Sequence, residues 1–199
     1  MVTEQGKVQT GRPMSEEVHG AIHRATLELL AEIGYEGLSI AQVARLAGTA
    51  TTSIYRRFPG KRELVIETLR TEMRSISRDI PVHGSLREEL LEYVASIVTL
   101  LTPERARIMA GLLLPMRGDP ALAKVFREEI MAIRTGSWQQ IFDRAVARGE
   151  VVENHPGIAF LEEIPPSVIF HRLVVLQLPI EADFISDLVD SFLLVVLTS

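Results

Sequence analysis

The sequence contains no cysteine, which excludes disulfides, thiolate catalysis and cysteine-based zinc sites. It also lacks an apolar run of about 18 residues, the length that crosses a bilayer; one of the longest apolar runs is FLLVVL near the C-terminus. Its polar N-terminus has no apolar segment of the kind that a signal peptide needs. Hydrophobic residues still make up 47% of the 199 residues, enough for a packed core. We therefore expect a cytoplasmic protein without a membrane partner.

Signals of enzyme chemistry are missing as well. There is no G-x-S-x-G, no phosphate-cradling glycine loop and no dinucleotide fingerprint, so we expect a protein that is not an enzyme and needs no cofactor. His19 and His23 have the i, i+4 spacing that can chelate a metal, but only Glu16 is near enough to be a third ligand. We interpret the pair as exposed helix surface and predict no metal site. Three pairs of adjacent acids are likewise predicted to be solvated surface: Glu88-Glu89, Glu128-Glu129 and Glu162-Glu163.

Charge is distributed unevenly along a chain whose net charge is −5. Residues 1–62 carry eight Lys/Arg against six Asp/Glu, whereas residues 63–199 carry thirteen against twenty. Between Glu36 and Glu63 there is no acid at all, but there are five cations: Arg45, Arg56, Arg57, Lys61 and Arg62. A basic segment on an acidic body indicates a nucleic-acid partner that only the first segment touches. A solvated charged surface is the alternative.

The periodicity of apolar residues predicts an all-α fold of about nine helices. The first is marked by apolar positions from Val18 to Ile33, with Ser15 as N-cap and Gly34 at its end. Ser39 and Gln42 have capping-box spacing and open a second, short helix. Capping residues, proline and glycine place the others at about 50–57, 61–78, 85–101, 103–115, 120–148, 158–176 (bent at Pro165-Pro166) and 181–197. Residues 1–13 are predicted to be a flexible arm.

Residues 14–62 are predicted to form a helix-turn-helix unit. Gly48 allows a tight turn between the second and third helices. Four residues of the second helix are expected to pack on the first: Ile40, Val43, Ala44 and Leu46. Ile54 and Phe58 are expected to hold the third helix on the same core. This packing leaves five residues facing outward, where they could reach phosphates or base edges in a major groove: Thr51, Thr52, Ser53, Arg56 and Arg57.

The segment SIAQVARLAGTATTSIYRRFPGKRELV resembles the DNA-binding segment of the TetR family of transcriptional regulators. The matching positions are Ile40-Ala41, Ala47-Gly48, Tyr55, Phe58 and Lys61. The resemblance implies phosphate contacts from Tyr55 and Lys61, with a further one from Ser39. It implies base-edge contacts from Thr51, Thr52 and Ser53. It also implies that residues 63–199 form a helical ligand-binding and dimerisation domain.

The last two helices are apolar over a wide arc, which predicts an interface with a second copy. The residues predicted to form it are Ile169, Leu173, Phe184, Leu188, Phe192 and Val195. Burial within a single subunit is the alternative.

Soft and aromatic side chains on the central helices are candidates for an effector pocket between helices five to eight. We expect a small, mainly apolar effector near Met109, Leu113, Met116, Phe126, Trp138 and Phe142, with polar contacts from Tyr93, Arg117 or His171. Ordinary core packing is the alternative for each of them.

Together these features predict a homodimeric, ligand-responsive regulator of the repressor type that binds a near-palindromic operator in double-stranded DNA. A TetR-like activator and a helical protein–protein interaction module without DNA binding are the alternatives.

Overall fold

In the computed structural model, the residues described are 16–74 and 81–199. Their secondary structure is helical without strands, which confirms the predicted fold class. The predicted arm, the Ser15 cap and the predicted end of the fourth helix lie outside these ranges. The helices are α1 Glu16–Gly37, α2 Ile40–Leu46, α3 Thr51–Tyr55, α4 Lys61–Arg74, α5 Leu86–Leu100, α6 Pro103–Gly118, α7 Pro120–Ala147, α8 Ile158–Phe170, α9 Ala182–Leu188 and α10 Leu194–Leu197.

Two wide π-helical segments lie within these ranges, and the second of them divides one predicted helix into α9 and α10. One, His171–Val175, extends α8, and the other, Val189–Leu193, joins α9 to α10. The predicted helix at about 181–197 is therefore one continuous helical stretch with a π segment in it. Helix α8 also continues through Pro165 and Pro166.

Helices α1 to α4 form the head of the molecule around one hydrophobic cluster. Ile22, Val43, Ile54 and Leu64 are completely buried in it. Both hydrogen bonds of the predicted capping box are present at the start of α2. Leu46, however, is 46% exposed, so the prediction that it packs on α1 was wrong. It lies in the last turn of a helix whose buried face is already supplied by other residues.

The remaining helices form a body around a second cluster, contributed mainly by α5, α7, α8 and the C-terminal helical stretch. Three predicted caps are present: Ser85 accepts a hydrogen bond from the backbone N–H of Glu88, Thr102 from that of Arg105, and Asp119 from those of Ala121 and Leu122. In the described ranges, no helix combines the length and apolarity that crossing a bilayer requires.

A buried ion cluster contradicts one sequence interpretation. Glu89, predicted to be solvated, is 0% exposed. Its Oε1 accepts hydrogen bonds from Arg144 Nε at 2.9 Å, Arg148 Nη1 at 3.4 Å and the His83 backbone N–H at 3.3 Å. Burial by itself would raise the pKa of Glu89, but these donors outweigh it and hold the pKa below its usual range. The carboxylate thus joins α5 to α7.

Head and body meet mainly where α1 packs on α6. A side-chain carbon at Gly111 would lie 3.8 Å from the Gly34 Cα, so two glycines face each other at this crossing. A second connection is ionic: Arg105 Nε of α6 donates to Glu72 Oε1 of α4 at 3.0 Å. Because α1 and α4 both belong to the head, these two connections couple the position of the head to that of α6. The domain boundary at residue 62 stays a prediction.

Candidate nucleic-acid interface

Helix α3 is a short helix that packs on the head cluster along one side and faces solvent along the other. The turn before it passes through Gly48, whose φ of 64° favours glycine. Ile54 and Phe58 are buried in the head cluster and anchor the segment, as predicted. Tyr55 is 56% exposed although it immediately follows the fully buried Ile54. The Tyr55 ring is therefore not part of the head core, and its contact with a phosphate stays a prediction.

The remaining predicted contact residues lie around the same edge. Thr52, Arg56 and Arg57 are exposed, whereas Thr51 and Ser53 are half-buried. The structure therefore brings the predicted hydroxyl and cationic side chains together on one short segment.

Three cations of this segment have no counter-ion in the part of the chain that the structure describes: Arg45, Arg56 and Arg57. Arg62, by contrast, is bound to Glu63 at 2.7 Å and lies 4.0 Å from Asp119. Unneutralised charge is thus concentrated beside α3, where it can attract a polyanion.

Lys61 and Ser39 are both engaged within the protein. Lys61 Nζ donates to the Tyr35 carbonyl oxygen at 2.9 Å and lies 4.5 Å from the centre of the Tyr35 ring. These contacts pin the start of α4 to the end of α1 and leave further N–H groups of the ammonium for another acceptor. The Ser39 hydroxyl belongs to the capping box, donating to Gln42 Oε1 at 2.6 Å. A phosphate contact by either residue stays a prediction.

The pair His19 and His23 packs against Phe58, which follows α3. The prediction that this pair is exposed helix surface was wrong. His23 is only 6% exposed; its Nδ1 lies 2.7 Å from Thr68 Oγ1 of α4, and its Nε2 lies 2.9 Å from His19 Nε2. Burial, followed by the nearby charges of His19 and Arg57, lowers the pKa of His23 to about 4. The pair belongs to the contact between α1 and α4 and not to the surface.

No metal centre is evident among the described residues, since no three His, Asp or Glu side chains converge there as ligands. The segment presents one short helix packed on a buried core, with an exposed aromatic residue and with arginines that have no counter-ion among the described residues. That is the geometry of a helix-turn-helix reading head.

Comparison with known proteins identifies the family. The model "Bacterial regulatory proteins, tetR family" matches residues 22–68, and the model "Tetracyclin repressor-like, C-terminal domain" matches residues 80–192. The chain belongs to the TetR family. These matches confirm the resemblance found in the sequence. Proteins of the TetR family are transcriptional regulators and not enzymes.

Individual relatives are similar in sequence to this protein along most of the chain. An uncharacterized HTH-type transcriptional regulator of Mycobacterium tuberculosis is 30% identical over 173 residues, covering 87% of this chain and 84% of the relative. The DNA-binding transcriptional repressor TetR of Mycobacteroides abscessus is 27% identical over 177 residues, covering 89% and 92%. The transcriptional regulator FadR from Bacillus subtilis, solved in complex with stearoyl-CoA, has a similar fold, with a TM-score of 0.71 at 18% identity and coverage of 90% and 98%.

The residues predicted to bind an effector do not form one group in this TetR-family structure. Tyr93, Trp138 and Phe142 are buried together in the body cluster, with the Tyr93 and Trp138 ring centres 5.4 Å apart, and Met109 packs beside them. Leu113, Arg117 and His171 are exposed, Phe126 is half-buried, and Met116 packs against the head cluster. Helix α6 turns successive residues toward different neighbours, so closeness in sequence did not bring these side chains together.

The residues predicted to form the dimer interface also differ from one another in their exposure to solvent. Phe192 and Val195 are exposed, whereas Leu173, Phe184 and Leu188 are half-buried. Ile169 is fully buried in the body cluster, so its inclusion was wrong: the side chain is already used by its own subunit. Phe160 of α8 and, beyond it, Leu176 and Leu178 are also exposed, and helical periodicity alone did not mark them as candidates.

Proposed function

We propose that this TetR-family protein is a homodimeric repressor that binds a near-palindromic operator and is released by a small, mainly apolar effector. The observation that carries the DNA-binding part is the exposed edge of α3, where Tyr55 stands beside Arg56 and Arg57 and both cations lack a counter-ion within the described residues. Cations of this kind release counter-ions when they meet phosphates, which favours DNA binding. The resemblance to a named transcriptional repressor supports the repressor role.

The homodimer is supported by the apolar surface near the C-terminus. Phe160, Phe192 and Val195 are exposed on the helices that TetR-like proteins use to pair, and Leu176 and Leu178 extend the same region of the chain. Large apolar side chains exposed on such helices favour association with a second copy. Two reading heads could then enter successive major grooves, about 34–36 Å apart.

Effector control is supported by the two connections between head and body. An effector that binds one conformation of the protein more tightly than the other shifts the population toward that conformation. The change would move α6 relative to α1 and α4, through the Gly34–Gly111 crossing and the Arg105–Glu72 ion pair. The similar fold of a regulator solved with stearoyl-CoA supports a mainly apolar effector.

The test is selection of bound duplexes from a random library, followed by titration of the selected duplex across salt concentration. We expect a near-palindrome and a steep salt dependence. Arg57→Ala should weaken binding and reduce the salt slope by about 1. Arg127→Ala, which removes an exposed arginine from α7, is the matched control. Equal effects of the two substitutions, or no enriched sequence, would contradict the proposed reading head.

A further inference from the structure

A cleft of about 610 Å³ lies at the junction of head and body. It is lined by one face of α1, one face of α6 and the end of the helical stretch that follows α8. The lining residues on α6 recur at helical spacing: Pro103, Ala106, Arg107, Ala110 and Gly111. The volume is in the range of small-molecule sites in proteins.

The chemistry of the cleft is mainly apolar with a single charge. Among its eleven lining residues, Arg107 is the only charged one, and no carboxylate is present. Gln177 is the only other polar side chain with hydrogen-bonding groups. A second cleft of the same volume, between α4 and α7, differs sharply: it is lined by three cations and three carboxylates, which balance one another. Of these two clefts, the junction cleft is the one with an unbalanced charge beside apolar walls.

The polar groups of the junction cleft are available. Within the described residues, neither Arg107 nor Gln177 has a hydrogen-bond or ion-pair partner. Gln177 has a φ of 54°, a conformation that is uncommon for any residue other than glycine. The turn around it is held by hydrogen bonds from the Leu178 N–H to the Arg172 carbonyl at 3.0 Å and from Arg172 Nε to the Pro179 carbonyl at 2.8 Å.

We propose that this cleft binds a small amphipathic carboxylate, with the carboxylate on Arg107 and the hydrocarbon chain along the apolar walls. The Arg107 guanidinium would donate to the carboxylate oxygens, and the alkyl chain would cover Ala110, Leu173 and Val174. The site is distinct from the predicted pocket among Tyr93, Trp138 and Phe142. A ligand here touches α1 and α6 at once, so it would bias the head directly; that regulatory consequence rests on the proposed function, whereas binding itself does not.

The experiment is calorimetric titration of the full chain with decanoate in the absence of DNA, with 1-decanol as the uncharged probe of equal chain length. Decanoate should bind more tightly than decanol. Arg107→Gln should weaken decanoate binding about tenfold and leave decanol unchanged. Arg127→Gln, which removes an exposed arginine of α7 outside the cleft, is the matched control and should bind decanoate as the parent does. Ala110→Phe fills the cleft and should abolish binding of both probes.

No binding of decanoate, or equal binding by the parent and Arg107→Gln, would overturn the proposal. Retained binding by Ala110→Phe would also overturn it, because the probe would then occupy another site. Circular dichroism identifies a variant that fails to fold, and Arg107→Gln alters only a surface side chain. The two proposals fail separately: a protein that selects a duplex but does not bind decanoate refutes the cleft alone, and one that binds decanoate but selects no duplex refutes the proposed function alone.

Discussion

Replacing His23 with glutamine should change how the stability of the protein depends on pH. The imidazole is buried between α1 and α4, and its pKa falls from 6.5 to about 4 because burial and the charges of His19 and Arg57 disfavour protonation. Glu67 of α4 also faces the pair and acts in the opposite direction on His19. The unfolded chain therefore takes up a proton at higher pH than the folded chain. Stability is retained above about pH 6.5 and is lost as the pH falls toward 4.

The magnitude follows from the two pKa values. A folded pKa of about 4 against 6.5 in the unfolded chain predicts a loss of about 2 kcal/mol between pH 7 and pH 5 from His23 alone. Other groups contribute to acid destabilisation, so the informative quantity is the difference between the parent and His23→Gln. We expect the variant to lose about 2 kcal/mol less than the parent over that interval. Glutamine removes the titration and keeps a polar group facing Thr68 Oγ1.

The assay is urea unfolding at several pH values between 7 and 5, followed by circular dichroism at low protein concentration because the isoelectric point is about 5.6. His171→Gln, which removes an exposed imidazole, is the control and should follow the parent. If His23→Gln and the parent lose the same stability between pH 7 and pH 5, His23 is not buried as a neutral group and the reasoning fails.

Three further predictions concern stability and assembly. Glu89→Gln should cost about 2–3 kcal/mol in urea unfolding at pH 7, because it leaves the guanidinium groups of Arg144 and Arg148 without their shared carboxylate; a similar loss in Glu88→Gln would contradict this. Ser39→Ala should cost about 1 kcal/mol by removing the hydroxyl cap of α2, and unchanged unfolding would show that the cap contributes nothing. Val195→Asp should convert the proposed dimer to a monomer in light scattering with its helical circular dichroism intact, and a persistent dimer would place the interface elsewhere.

The helical layout and the reading head could be predicted because their signals are local. The Ser39–Gln42 capping box, the Asp119 cap and the glycine turn at Gly48 each act within a few residues, so they are present both in the sequence and in the structure. Ile54 and Phe58 could likewise be assigned to the head core, since helical spacing determines which face of a short helix is apolar. The role of Tyr55, by contrast, was implied only by the resemblance to the TetR family.

Only tertiary packing decided which residues contact a partner far away in the sequence. Glu88 and Glu89 are neighbours of the same residue type, yet Glu89 is buried because α7 brings Arg144 to it across 55 residues. His23 is buried because Thr68 lies opposite it, 45 residues along the chain. The sequence by itself determined the helices, their caps and the basic recognition segment. The buried polar clusters and the cleft between α1 and α6 arise from contacts between residues far apart in sequence, which no local pattern records.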